Sequence, residues 1–460
     1  VFNSPHWASL QGNHASCKGL FRLQRAFLEA SRQRLWAPLQ FMFQENVTLD
    51  DSGNPISHLP LLPSRYDIQQ LDTIIRQELS LADPREGGGD LSAVTMISEN
   101  VTGMISQFCE QAYNAISNAG EDACLDPKNG SPTEALLHDM KVAKIMNAMA
   151  ESLLSAPDKV FLEPYRPAVT AKLEEAAAMC EQALQSGLQE IDKFVQTQIL
   201  GPLCRALCKR IATTIGKIHY GSYLQESTDP DAEGPLFAQK YLSDLYEKLG
   251  EAHLSKLPQK YAAYVASTIA TFSIYTFVSN ISLIRPLAES TRLHLTQDLA
   301  DFELSLEQLM VKGGQSKHLS EVGNGKPYAE LRAVRQMLFW TGLDDATKPA
   351  TSIAKAMSRE TWVRHVRPST VCHYLFSFAP SLLSSPHHMK RMRIEEYVAT
   401  LVTLEGDVDE GEAGSWMTTM ACCDSYQQRE SAQTGPKDGD PRVVNIIMTL
   451  GPELLRRQRP

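Results

Sequence analysis

An all-α fold is predicted from three features of this 460-residue sequence. Apolar residues recur at steps of three and four along most of it, helix-start signals punctuate it, and alternating runs of strand length are nearly absent. The exception is Arg442-Val443-Val444-Asn445-Ile446-Ile447, short and ambiguous between strand and helix. No βαβ rhythm and no repeat of solenoid period occurs.

The pattern predicts helices over 16–43, 64–82, 91–119, 132–155, 167–222, 235–250, 256–285, 289–312, 327–341, 348–361, 369–378 and 386–404. Ser64 with Asp67 three residues on, Ser131-Pro132-Thr133-Glu134 and Ser385-Pro386 read as helix starts, where a side-chain oxygen or an N1 proline suits the unpaired amides. The clearest stripe is Leu173, Ala177, Cys180, Leu184, Leu188, Ile191, Val195 and Ile199, with Glu174, Glu175, Glu181 and Gln185 opposite. Gly201-Pro202 should kink or interrupt this helix, because proline lacks the amide donor and crowds the preceding turn. The stripe resumes at Leu203, Leu207, Ile211, Ile215 and Ile218. Polar breakers at 83–90, 121–130, 227–235 and 313–327 separate the helices.

At roughly 100–200 residues per domain, two or three packed bodies are expected. We place an N-terminal helical bundle segment at 1–160, a long-helix bundle at 161–312 and a C-terminal bundle at 313–404. Residues 405–460 read as a largely disordered acidic and polar tail, since 405–413 carries five acids and no base.

Hydrophobic residues at 43% and charged residues at 21% are ordinary globular values. The formal net charge of −10 argues against a nucleic-acid partner, which needs clustered bases. Nine scattered cysteines form no disulfide framework and suit a reducing compartment. Cys204 and Cys208 share a helix face without a second pair to complete a metal site, so they read as small buried hydrophobes. Sequons at Asn46, Asn100, Asn129 and Asn280 matter only in a secreted chain, and the start lacks a signal-peptide pattern. It also lacks Met, as a fragment or processed form would. The uncharged stretch Tyr261–Ile284 is long enough to span a bilayer, but its hydroxyl and amide side chains suit a helix packed on all sides.

The search for chemistry returns no catalytic, cofactor-binding or metal-ligating residues. Neither a phosphate-binding glycine motif nor a nucleophile elbow occurs. Glu134 and His138 are a lone i, i+4 pair where a di-iron bundle needs two Glu-x-x-His pairs. The aspartate pairs at 50–51 and 344–345 sit in turns, and His387 and His388 should splay about 100° apart on a helix. Two features suit binding instead. The segment 18–43 carries Lys18, Arg22, Arg25, Arg32 and Arg34 against Glu29, with Leu20, Leu23, Phe27, Leu28, Leu35 and Trp36 between them. Such a basic amphipathic helix can lie on anionic lipid or in a partner groove, or simply be a bundle helix with a basic outer face. The stripe Leu173–Ile199 either fills a core or pairs with another subunit; core is the favoured reading.

Three ordered elements carry a family resemblance. The first is Ser282-Leu283-Ile284-Arg285-Pro286-Leu287-Ala288-Glu289 with Leu293-His294-Leu295-Thr296-Gln297-Asp298-Leu299. Next come Tyr328, Leu331-Arg332, Arg335 and Leu338-Phe339, and then Leu375-Phe376-Ser377-Phe378-Ala379-Pro380 through Ser385-Pro386. Together they resemble subunit 5 of the conserved oligomeric Golgi complex, more weakly before about residue 200 and not after residue 404. The resemblance implies an elongated rod of stacked helical bundles of the multisubunit-tether type. It also implies a structural, non-enzymatic role in intra-Golgi retrograde vesicle transport and Golgi organisation, peripherally on the cytosolic face of the Golgi. Implied partners are subunit 7 first, then subunits 6 and 8, with SNARE or Rab proteins as further candidates. The family's N-terminal coiled-coil region would lie upstream of Val1.

Overall fold

In a computed structural model, the structure describes residues 14–44, 48–49, 55–57, 60–85, 91–117, 120–166, 168–220, 236–314, 318–404, 408–430 and 439–458. The all-α expectation holds. The helices are α1 (His14–Trp36), α2 (Arg65–Ser80), α3 (Ser92–Ala115), α4 (Glu134–Pro157), α5 (Ala171–Phe194), α6 (Gly201–Gly216), α7 (Asp244–Ala252) and α8 (Gln259–Ser282). They continue as α9 (Glu289–Lys312), α10 (Lys326–Leu338), α11 (Ala350–Met357), α12 (Pro368–Phe376), α13 (Pro386–Met389), α14 (Ile394–Leu401), α15 (Val408–Glu430) and α16 (Arg442–Gln458). Two short antiparallel strands, Thr48–Leu49 and Pro55–Ser57, are the β-structure of the described residues.

The chain divides into two compact units, 1–203 and 204–460. This differs from the boundaries expected near 160, 312 and 404, and side-chain packing explains why. The stripe of α5 packs on α3 and α4, so a cut at 160 would bisect one core. Across 312, the Tyr328 hydroxyl donates to Glu303 Oε1 at 2.6 Å and Arg335 pairs with Glu303 Oε2 at 2.5 Å, joining α10 to α9.

In the first unit, α3 lies on α5 and α1 lies on α3, with α2 against α4. Val94, Ile97, Val101, Met104, Ile105 and Phe108 of α3 meet Leu173, Cys180, Leu184 and Ile191 of α5, all buried. The approach is close at Gly187, where a Cβ would stand 2.7 Å from Ile105 Cδ1. The reciprocal cap at α2 is present: Asp67 N donates to Ser64 Oγ at 3.3 Å and Ser64 N to Asp67 Oδ2 at 2.7 Å. At α4 the cap is Thr133, not Ser131; its Oγ1 accepts from Leu136 N at 3.3 Å. The residues before it explain the shift, because Thr133 N bonds Cys124 O at 3.1 Å and Asp126 N bonds Ser131 O at 2.9 Å, holding Ser131 in a turn.

Pro202 does not break its helix. A π-turn, Val195–Leu200, precedes it, and α-helix resumes at Gly201. The wider turn re-spaces the carbonyls that the proline ring would otherwise crowd.

In the second unit, α8 runs through the core against α9, α10, α12 and α14. Among the described residues it is the helix long and apolar enough to cross a membrane, yet 61% of its apolar window is buried by protein. Two of its buried polar residues bond the preceding turn: Asn280 Nδ2 donates to Thr276 O at 2.8 Å and Ser282 Oγ to Ser279 O at 2.8 Å.

The segment expected to be a disordered tail is helical where it is described; 405–407 and 431–438 lie outside the described residues. One acid of that run, Glu412, is buried because it accepts from Ser369 N at 2.7 Å and Ser369 Oγ at 2.5 Å. Cys422, Cys423 and Tyr426 are buried along α15, and Val443, Val444, Ile446, Ile447 and Leu450 along α16. The ambiguous run 442–447 is therefore a buried helical start and not a strand. At Gly451 a side chain would collide with the Trp416 ring, so α15 and α16 meet through a glycine. Gly451→Ala is expected to destabilise the second unit by about 1–3 kcal/mol, the usual range for overpacking; a shift of the denaturant midpoint checks it.

Candidate interaction surfaces

The residues singled out for chemistry do not converge. Buried His138 places Nε2 2.9 Å from Ala115 O, while Glu134 faces solvent. Burial pushes the Cys204 thiol up to about 12, and Cys208 upward too, so both behave as the small hydrophobes expected. Asp345 accepts from Thr347 N at 3.0 Å and Thr347 Oγ1 at 2.6 Å, bonds that hold its carboxyl below the usual range. Asp50 and Asp51 lie outside the described residues. His387 and His388 do not splay apart: their ring centroids stand 4.1 Å from each other on the single turn of α13. Among the described residues no group of three or more His, Cys, Asp or Glu is placed to hold a metal ion.

The stripe Leu173–Ile199 is interior: its members from Leu173 to Ile199 are buried, apart from half-buried Leu188. It is consumed by its own unit's core.

The densest polar constellation lies where α8, α10, α12 and α15 meet. Arg367 Nε sits 3.0 and 2.9 Å from the two oxygens of Glu330, and the Arg367 amide donates to Glu330 at 3.2 Å. Thr370 Oγ1 donates to the same carboxylate at 3.2 Å. The other end of Arg367 donates to Tyr275 O and Ser279 Oγ, each at 3.1 Å. Alongside, His373 Nε2 lies 2.9 Å from the Tyr397 hydroxyl and 3.3 Å from Ser415 Oγ. A cavity of about 390 Å³ borders this network, lined by Tyr264, Thr268, Tyr275, Arg367 and Leu401 among others. Its charged group, Arg367, is already saturated by Glu330. Such a network fixes helix positions. Nothing local in the sequence signals it, since Glu330, Arg367 and Glu412 stand about 40 residues apart.

Residues of the first and third sequence elements are brought together. Arg285 donates to Leu383 O at 3.3 Å with its guanidinium 4.8 Å from the Phe376 ring centre, and Arg292 lies 5.5 Å from that of Phe378. They clamp the turn after α8 and the start of α9 onto the end of α12 and the chain that follows it.

In the first unit, α1 is anchored along one side. Leu35 is buried, Asn100 Nδ2 donates to Leu28 O at 3.0 Å, and Arg34 pairs with Glu78 at 2.5 and 3.0 Å. Its outer side carries Arg22, Arg25 and Arg32, with the Arg32 guanidinium 3.9 Å above the Trp36 ring. That side is not purely basic, because Leu23 is 69% and Phe27 43% exposed. The side chains of Lys18 and Leu20 lie outside the described residues. Between α2 and α4 a groove of about 520 Å³ has Ile68, Ile145 and Ala148 in its lining and Arg65, Lys144 and Lys159 among its charged groups. Both surfaces set apolar side chains beside charge.

No family model matches the chain. Over 367 residues, 79% of its length, it is 24% identical to conserved oligomeric Golgi complex subunit 5 of Mus musculus, of which it covers 38%. Over 439 residues, 90% of its length, it is 23% identical to the protein of the same name from Arabidopsis thaliana, of which it covers 45%. The chain thus spans less than half the length of each relative. Among solved structures, the C-terminal domain of the exocyst subunit Sec6p aligns over 92% of this chain and 91% of its own, with a TM-score of 0.35 and 12% identity. The resemblance read from residues 282–386 is borne out by the two curated relatives, and it extends over most of the chain.

Proposed function

We propose, from its similarity to subunit 5 of the conserved oligomeric Golgi complex, that this chain is a structural subunit of a Golgi vesicle-tethering complex. It supports intra-Golgi retrograde transport and Golgi organisation through protein–protein contacts, peripherally on the cytosolic face. Its partners are the other subunits, with subunit 7 first and subunits 6 and 8 next, and SNARE or Rab proteins as further contacts. The observation that carries this reading is the similarity over 79% and 90% of the chain to two proteins of that name from a mammal and a plant. The clamp of Arg285 and Arg292 on Phe376 and Phe378 supports it, because it joins two of the sequence elements that carry the resemblance. The chemistry is consistent with a scaffold: the buried Arg367–Glu330 pair is spent on holding helices together, and the exposed apolar residues of α1 sit beside charge. Mixing the purified chain with separately produced subunits 7, 6 and 8 tests the reading. Co-elution with subunit 7 is expected, and failure to co-elute with any of the three removes the reading.

A second reading is favoured by Leu23 and Phe27 on the basic side of α1: binding to anionic membrane. On it, the chain floats with anionic liposomes at low salt, where electrostatic attraction is strongest. Flotation is expected to fall with added salt and to be lost in Leu23→Asp/Phe27→Asp. No flotation at low salt removes it.

A further inference from the structure

The outer side of α9 departs from the polar face that a bundle helix normally shows solvent. Its inner side buries Leu295, Leu299, Phe302, Leu306, Leu309 and Met310 against α7, α8 and α10. Outward, Leu293, Gln297, Ala300, Leu304, Glu307 and Val311 recur at alternating steps of four and three. That is the spacing of a coiled-coil seam, and at 1.5 Å per residue it runs about 27 Å along the helix. Leu293, Leu304 and Val311 are 52%, 54% and 72% exposed, and the three between them are exposed as well. Among the described residues nothing covers them. Apolar residues on two opposite sides cancel in any amphipathicity pattern, which is why the sequence reading took α9 as an ordinary bundle helix.

Charge around the seam is one-sided. Glu307 lies within it, Asp301 and Glu303 border it, and Glu247 and Glu251 flank its C-terminal end from α7. Two of the nearby bases are engaged by acids, Lys312 Nζ lying 3.2 Å from Glu251 and 4.0 Å from Glu247 and Arg335 pairing with Glu303, while Arg292, at the N-terminal end, lies over the Phe378 ring. The field left over is negative.

We propose that this outer face of α9 docks an amphipathic helix from another polypeptide. That helix carries apolar residues at the same four-three spacing and lysine or arginine on its flanks. Gln297 and Glu307 act as register-setting polar positions, with a partner base placed against Glu307. The inference stands apart from the Golgi assignment, since it concerns the chemistry of the partner element and not the identity of the complex.

The test uses the whole chain and a labelled synthetic helix of about four heptads, with Leu at the seam positions and Lys on both flanks. A peptide of the same composition with scrambled Leu positions is the control. Fluorescence anisotropy at physiological ionic strength is expected to show binding of the seamed peptide, weakened roughly tenfold or more by Leu304→Glu/Val311→Glu. Both substitutions are on exposed positions, and unchanged circular dichroism and melting establish that the variant is folded. Equal binding of the scrambled peptide, or equal affinity of the double variant, overturns the proposal. So does sedimentation showing a homodimer of the chain that the double variant abolishes, since the face would then belong to a second copy.

Discussion

Arg367→Met is expected to destabilise the second unit by about 3–5 kcal/mol, the range for removing one partner of a buried ion pair. The side chains of Arg367 and Glu330 are 7% and 2% exposed. Glu330 would keep only Thr370 and the backbone amide of residue 367 as donors, with no cation. Glu412 would suffer as well. Burial already raises its carboxyl above the usual range against the pull of Arg367, and Glu330 pushes it the same way as burial. The double variant Arg367→Met/Glu330→Met should recover much of the loss, because replacing a whole buried pair by apolar residues is often near neutral. Denaturant unfolding followed by tryptophan emission measures this, since Trp340, Trp362 and Trp416 belong to the second unit. A loss below about 1 kcal/mol for the single variant would mean that the guanidinium is effectively solvated, and the network description would fail.

The second large effect concerns acid. Burial, then nearby Lys256, pulls the imidazole of His253 down to about 4, and burial, then Arg285 and Arg367, pulls His373 to about 3. An unfolded histidine titrates near 6.5. As pH falls below that value the unfolded chain takes up protons that the folded chain refuses, so stability is fully present above about 6.5 and is lost toward about 4. For His253 alone the loss is about 2 kcal/mol by a pH near 5 and about 3 kcal/mol by a pH near 4. Among the described residues neither ring nitrogen of His253 has a hydrogen-bond partner. His253→Leu therefore forfeits at most a weak contact with the Leu249 carbonyl at neutral pH and should flatten the acid limb. Asp139 and Glu412, raised chiefly by burial, work in the opposite sense, so the informative quantity is the wild-type-minus-variant difference. Melting temperatures across this pH range measure it; parallel curves for the two proteins would refute the assignment.

Local chemistry was legible in the sequence, and long-range satisfaction was not. The three-and-four spacing from Leu173 to Ile199 placed α5 and its buried side correctly, because one helix face meets one core. The Ser64–Asp67 box was equally readable, since both partners lie within one turn. Reading fails where a residue's state depends on a distant one. Glu412 looked like part of an acidic, solvated tail until Ser369 supplied its two donors. The boundary expected near 312 ignored a carboxylate on α9 that serves Tyr328 and Arg335 on α10. A kink or interruption at Gly201-Pro202 was readable from the proline, but its form, a π-turn over Val195–Leu200, was not, because that turn has no distinctive composition.

The candidate surfaces follow the same division. The basic arc of α1 was visible as a run of arginines. That Leu23 and Phe27 face outward while Leu35 faces in depends on which side α3 covers. The outer side of α9 was hidden for a similar reason, since spacing alone cannot tell a covered stripe from an open one.

Crosslinking in living cells, with the chain tagged and its conjugates identified by mass spectrometry, tests the central claim most directly. The account predicts conjugates with other subunits of the Golgi complex, subunit 7 foremost. Recovery of no subunit of that complex would contradict it.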